Sequence, residues 1–166
     1  MHRGQITDAE LYNDARELWG IAAECQIPEV ETQTIDHETL GSVGVIKLPS
    51  RGLRSLSGSL KLQYPDDEFH RKMLRPNRAV SLHLHEKVDL FDIDGYDEGA
   101  STTLITSMRC LFSKVSSGAG KLGDARDLSG DFTTTYFMQR ATNSNIPLIE
   151  VNLFSKIYRV NGENVW

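Results

Sequence analysis

Two histidines one residue apart, His83 and His85, with Asp89 four positions further on, are the side chains of this sequence best spaced to do chemistry. On an extended strand, where side chains alternate, positions 83, 85 and 89 fall on one face, so two imidazoles and a carboxylate could share a metal ion. Barrels that hold a metal this way add a third histidine from a later strand. The other histidines, His2, His37 and His70, all lie upstream, so a solvated strand face is the expectation and no metal is. Asp92, Asp94 and Asp97 in DLFDIDGYDEG suggest a calcium loop, but the glycine is out of register and Glu98 comes too early to close the coordination, so a solvated hairpin tip is expected. The stretch SSGAGK at residues 116–121 lacks both the spacing and the Ser or Thr after Lys121 that a phosphate loop uses. Cys25 and Cys110 stand far apart with no CxxC spacing. They read either as buried, idle thiols or as a disulfide between subunits of a particle that meets an oxidising environment. Catalysis has no constellation to stand on, so neither an enzyme nor a cofactor is expected.

The elements that would position these residues are strands. At 166 residues the chain has room for one well-buried core, so residues 1–166 read as a single domain. Hydrophobic residues at 39% and charged residues at 25% exclude a disordered, collagen-like or coiled-coil chain. A net charge of -5 excludes the basic excess that grips phosphate backbones. No apolar run approaches the roughly 20 residues that span a bilayer, and MHRGQITDAEL has no apolar secretion core. Synthesis in the cytoplasm without a membrane anchor is expected.

Turn signals separate short runs of alternating apolar and polar residues, which means antiparallel β-structure. Residues 79–89 place Val80, Leu82, Leu84 and Val88 on one face and Ser81, His83, His85 and Lys87 on the other. Residues 102–115 carry Leu104, Met108, Cys110 and Phe112 on one face but Ile105 and Leu111 on the other, so both faces meet something. Residues 131–140 are rich in Thr, Tyr and Phe, and 148–160 read as one long strand joining Ile149, Val151, Leu153 and Ile157 before the Asn161-Gly162 turn. One helix is expected at 66–75, opened by Pro65-Asp66, lined by Phe69, Met73 and Leu74, and ended by Pro76. Residues 8–24 allow two readings. Leu11, Ala15, Leu18 and Ala22 recur at helical spacing, yet Asn13-Asp14 could close a hairpin between strands through Leu11-Tyr12 and Leu18–Ile21. Residues 40–56 read as a long Gly-rich loop whose exposed aliphatics argue for docking.

Residues 20–64, GIAAECQIPEVETQTIDHETLGSVGVIKLPSRGLRSLSGSLKLQY, resemble the N-terminal half of the major tail tube proteins of contractile-tailed bacteriophages. The order of parts carries the likeness: the step Ile27-Pro28-Glu29, a charged strand, a Gly-rich patch, the loop Leu48-Pro49-Ser50-Arg51-Gly52-Leu53, and a strand before a helix. The ending IEVNLFSKIYRVNGENVW resembles the family's last strand through Tyr158, Val160, Asn161 and Gly162. The family pattern continues past this turn into a short helix, and residues 1–10, an N-terminal extension here, have no counterpart in it.

The resemblance implies an antiparallel β-barrel or rolled sandwich with one flanking α-helix and a long protruding loop. It implies a structural virion protein whose copies close into homo-hexameric rings and stack into a tube, with tail sheath protein outside and baseplate and tail terminator proteins at the ends. DNA would pass through the lumen without specific binding, and an acidic lumen would keep it sliding. The implied contact between rings is the loop at 40–56, with Gly41, Val43, Gly44, Ile46, Leu48, Pro49, Gly52 and Leu53. An inner tube of a secretion or injection particle shares every one of these features. A small metal-binding β-barrel built on His83 and His85, or a monomeric binding module using the Gly-rich loop, are rivals of another class.

Overall fold

The computed structural model describes residues 2–41, 43–63, 66–118, 121–124 and 126–166. Its first element settles the choice between helix and hairpin. β1 (Arg3–Tyr12) and β2 (Leu18–Gln26) are antiparallel strands, with Glu10 opposite Ile21 and Leu11 opposite Gly20. Asn13 builds the turn: its backbone N–H donates to the Glu17 carbonyl (3.1 Å), and its Oδ1 accepts from the Glu17 N–H (2.8 Å). An Asn side chain that folds the chain locally in this way competes directly with helix hydrogen bonds. Residues 3–10, expected as an extension, are strand, paired with a later strand from Arg3 onward.

β3 (Thr32–His37) and β4 (Ile46–Leu53) form a two-stranded sheet of their own. The expected loop at 40–56 therefore contains the returning strand of a β-arm, and the described residues Leu40, Gly41, Val43 and Gly44 lie at its tip. β4 tolerates Pro49 because it pairs with β3 alone, and a strand with an open edge does not need every N–H.

The remaining strands make the barrel. β5 (Leu56–Gln63), β6 (Val80–Asp92), β7 (Gly95–Ser116) and β8 (Asp127–Ala141) join β1 and β2 in the order β8-β5-β2-β1-β6-β7, and pairing of β7 with β8 closes the ring of six strands. β8 pairs through residues 127–134 with β5 and through 136–139 with β9 (Ile149–Asn152), which leads to β10 (Ile157–Val160) and β11 (Glu163–Asn164). The long strand expected at 148–160 is thus a hairpin. Its break is local: the Asn152 Oδ1 accepts from the N–H groups of Phe154 and Ser155 at 3.1 Å each, which turns the chain and leaves Leu153 outside the core. Asn161 and Gly162, with φ of 52° and 80°, make the tight turn into β11 that the sequence announces.

The core lies inside the barrel. Val80, Leu82 and Leu84 of β6 face Met108, Cys110 and Phe112 of β7 and Phe132 of β8, all buried. Val88 is only half-buried, because the β6–β7 register slips between Val88 and Leu90. α1 (Asp67–Met73) is capped by Asp66, whose carboxylate accepts from the N–H groups of Glu68 (3.1 Å) and Phe69 (3.4 Å). Phe69 and Met73 enter the core, whereas Leu74 is the C-cap and is exposed, so it is not part of the buried face. Pro65, expected to open this helix, lies outside the described residues. Among the described residues no helix is long and apolar enough to cross a membrane.

Candidate assembly surfaces

The chemistry suggested by the histidines is taken up by structural bonds. His83 and His85 sit on the outer face of β6, half-buried. The ring nitrogens of His83 lie 2.9 Å from Ser107 Oγ and 2.7 Å from Asp14 Oδ1, so the residue ties the β1–β2 turn to β7. His85 lies beside the Tyr12 ring, centroids 4.6 Å apart, and burial with the neighbouring His83 charge holds its pKa below the usual imidazole value. Asp89 does not join them. It is buried and accepts a hydrogen bond from Thr7 Oγ1 at 2.8 Å.

Asp92, Asp94 and Asp97 cluster at the β6–β7 hairpin tip as expected, where Asp94 N–H donates to Asp92 Oδ1 (2.8 Å). His2 lies within 4.0 Å of Asp97 there. In the SSGAGK stretch, Ala119 and Gly120 lie outside the described residues, and Lys121 is 4.0 Å from Asp124.

The two cysteines lie inside one subunit. Cys110 is fully buried on β7, and Cys25, half-buried on β2, packs against the same core. Burial pushes the Cys25 thiol up to about 12, and burial, with Cys25 close by, raises Cys110 as well. A Cys110 thiol sealed in the barrel argues against the expected disulfide between subunits, whereas Cys25 is only half-buried. Cys110 is expected to resist thiol reagents until the chain unfolds, and particles on a non-reducing gel should run as monomer; a cysteine-linked dimer band would contradict the burial.

The surface that stands out is the β3–β4 arm. Its register puts Ile35 opposite Leu48 and His37 opposite Ile46, so Ile35, Ile46 and Leu48 form one apolar stripe on a ribbon whose other face carries Thr34, Asp36, Lys47 and Pro49. All three stripe residues are exposed, at 53%, 59% and 46%, and Leu40 and Val43 at the tip are fully so. Of the expected contact residues, Gly41, Val43, Gly44, Ile46, Leu48 and Pro49 are exposed on the arm. Gly52 is half-buried opposite Gln33, whose Oε1 would lie 2.9 Å from an added Cβ, and Leu53 packs on the barrel core at the arm's base. Ile35 escapes the sequence reading, since a single aliphatic in TQTIDH gives no apolar period. A second apolar patch, Leu153, Phe154 and Trp166, surrounds the β9–β10 turn and the last residues. Exposed stripes of this kind mark surfaces that another chain covers.

A closed barrel with an amphipathic arm and open strand edges presents surfaces that another chain can cover. Residues 3–166 match the family described as phage tail tube protein FII, and the chain belongs to that family, one of structural tube proteins and not of enzymes. Among solved structures, the chain is similar to one from the sheath–tube complex of an extracellular contractile injection system, PVC, in its extended state, with a TM-score of 0.55 at 9% identity over 83% of this chain and 91% of that one. It is likewise similar to one from the sheath/tube terminator of that system in its extended state, with a TM-score of 0.54 at 9% identity over 82% of this chain and 95% of that one. No curated protein matches.

Proposed function

We propose that the chain is the repeating subunit of the inner tube of a contractile tail: copies close into hexameric rings, and rings stack head to tail through the β3–β4 arm. The observation that carries this reading is the unpartnered apolar stripe Ile35, Ile46 and Leu48, presented on a ribbon that stands apart from the barrel sheet. A second copy in the next ring is its occupant, because membership of a tube-protein family makes another copy the partner every subunit meets. The tube would be sleeved by a sheath, ended by terminator and baseplate proteins, and carry DNA without binding it. The net charge of -5 supports an acidic, phosphate-repelling lumen; a solved tube lined by Arg and Lys would sink that part. An injection particle that delivers protein instead is the second reading, supported by the contractile injection system among the similar structures. Negative-stain electron microscopy of concentrated protein, beside its mass in solution, tests the assembly: rings or open tubes are expected, and a stable monomer overturns it.

A further inference from the structure

β1 and β2 are paired only near their turn, Glu10–Tyr12 with Leu18–Ile21. Beyond it β1 stays with β6 and β2 with β5, and a cleft of about 460 Å³ opens between them. Each strand carries a bulge at this place, at Thr7 and at Ala23, where one residue is left over in the register. Bulges placed beside a cleft re-aim side chains and expose backbone edges.

Glu86 of β6, opposite Ala9, lines the cleft. It is 8% exposed and its Oε1 is buried with no hydrogen-bond partner. Asp8 and Glu24 line the same cleft, and among the described residues neither has an ion pair. A buried carboxylate without a partner is costly in a subunit standing alone and calls for a cation. Metal ligation does not answer it: among the described residues the group close enough to share an ion is His2, Asp92 and Asp97 at the hairpin tip. The matching charge lies on the other side of the barrel order. Arg109 and Lys114 of β7 and Arg140 of β8 are exposed and, among the described residues, have no ion pair. An acidic cleft at one seam and free cations at another give one subunit two complementary faces, as a head-to-tail contact between copies uses, and such contacts make a ring when their rotation closes.

We propose that the β1–β2 cleft is the subunit contact within the ring: it receives a basic side chain from the β7–β8 face of a second copy, and Glu86 pairs with it. This rests on the reading of the chain as a ring-forming subunit and assigns the contact that closes the ring, distinct from the arm. Burial already holds the Glu86 carboxyl above the usual carboxylate range, so the neighbour's cation would supply what the lone subunit lacks.

Glu86→Gln is the test, read by melting of the monomer and by the concentration at which rings form. The monomer should melt about 2–4 °C higher, since a buried charge is gone, while ring formation should need at least about 10-fold more protein. Of Arg109→Gln, Lys114→Gln and Arg140→Gln, one should reproduce the assembly loss and add nothing further when combined with Glu86→Gln. Rings from Glu86→Gln at the wild-type concentration would overturn this contact and leave the tube reading standing, as would assembly unchanged in all three basic variants. A wild-type chain that never forms rings would overturn both.

Discussion

Aspartate at both Ile46 and Leu48 is expected to stop ring stacking while leaving the subunit folded. Both side chains are exposed on one face of the arm, with Ile35 beside them, so nothing in the subunit depends on them. Substitutions at such positions typically change stability by less than about 0.5 kcal/mol. At the proposed ring-to-ring contact the same side chains would be buried, and each aliphatic would contribute about 1.5–3 kcal/mol. Losing two per contact lowers the association constant on the order of 10²–10⁴-fold, and a ring makes this contact once for every subunit. Electron micrographs should show isolated rings where the wild type gives tubes, at unchanged melting temperature. Tubes of normal length would show that the arm does not carry stacking, and loss of rings as well as tubes would place it within the ring.

The division between barrel and arm also explains what could be read from the residues alone. The alternating runs at 79–89 and 102–115 became β6 and β7, because a strand with one face in the core must alternate, and the Thr, Tyr and Phe of 131–140, which favour pleated backbone, became β8; both signals are local. Asn13 and Asn152 each fold their turn through their own side chains, so the hairpin at 13–17 was legible as one of two options, while the break at 153–156 was hidden behind the aliphatics on either side. In sequence the arm reads as a loop because Pro49 and the glycines around it break any strand period, and only an open-edged strand accommodates them.

The cleft left fainter traces. Its existence depends on β1 leaving β2 for β6 some eighty residues away, a choice that no window of sequence contains. One residue did carry a signal: Glu86 occupies an inward position of the alternation Val80, Leu82, Leu84, where an apolar residue belongs. A charged residue on the core side of a strand is where local consistency fails, and such failures concentrate at functional or strained sites. The proposed assembly surfaces are thus the places where the sequence departs from its own pattern, the stripe on an arm with no core and the carboxylate in a face made of aliphatics.

Phe69→Ala is expected to have the largest effect on the subunit itself. Phe69 is fully buried, with its ring stacked on Trp19 at 4.8 Å and edge-on to Phe112 at 6.2 Å, and Phe112 in turn meets Phe132 at 5.6 Å. The aromatic chain links α1 to β2, β7 and β8. Removing a buried Phe costs about 3–5 kcal/mol, which at this chain length lowers the melting temperature by roughly 6–20 °C. A helix of seven residues cannot hold itself in water, and Phe69 and Met73 are its two buried anchors. Met73→Leu, which conserves volume, should cost less than about 1.5 kcal/mol and keeps the helix docked. Calorimetry of the monomeric subunit separates the two variants. A loss below about 1 kcal/mol for Phe69→Ala would mean that α1 is packed on the barrel without supporting it, and hydrogen exchange of the helix amides would then show whether it detaches while the barrel stays closed.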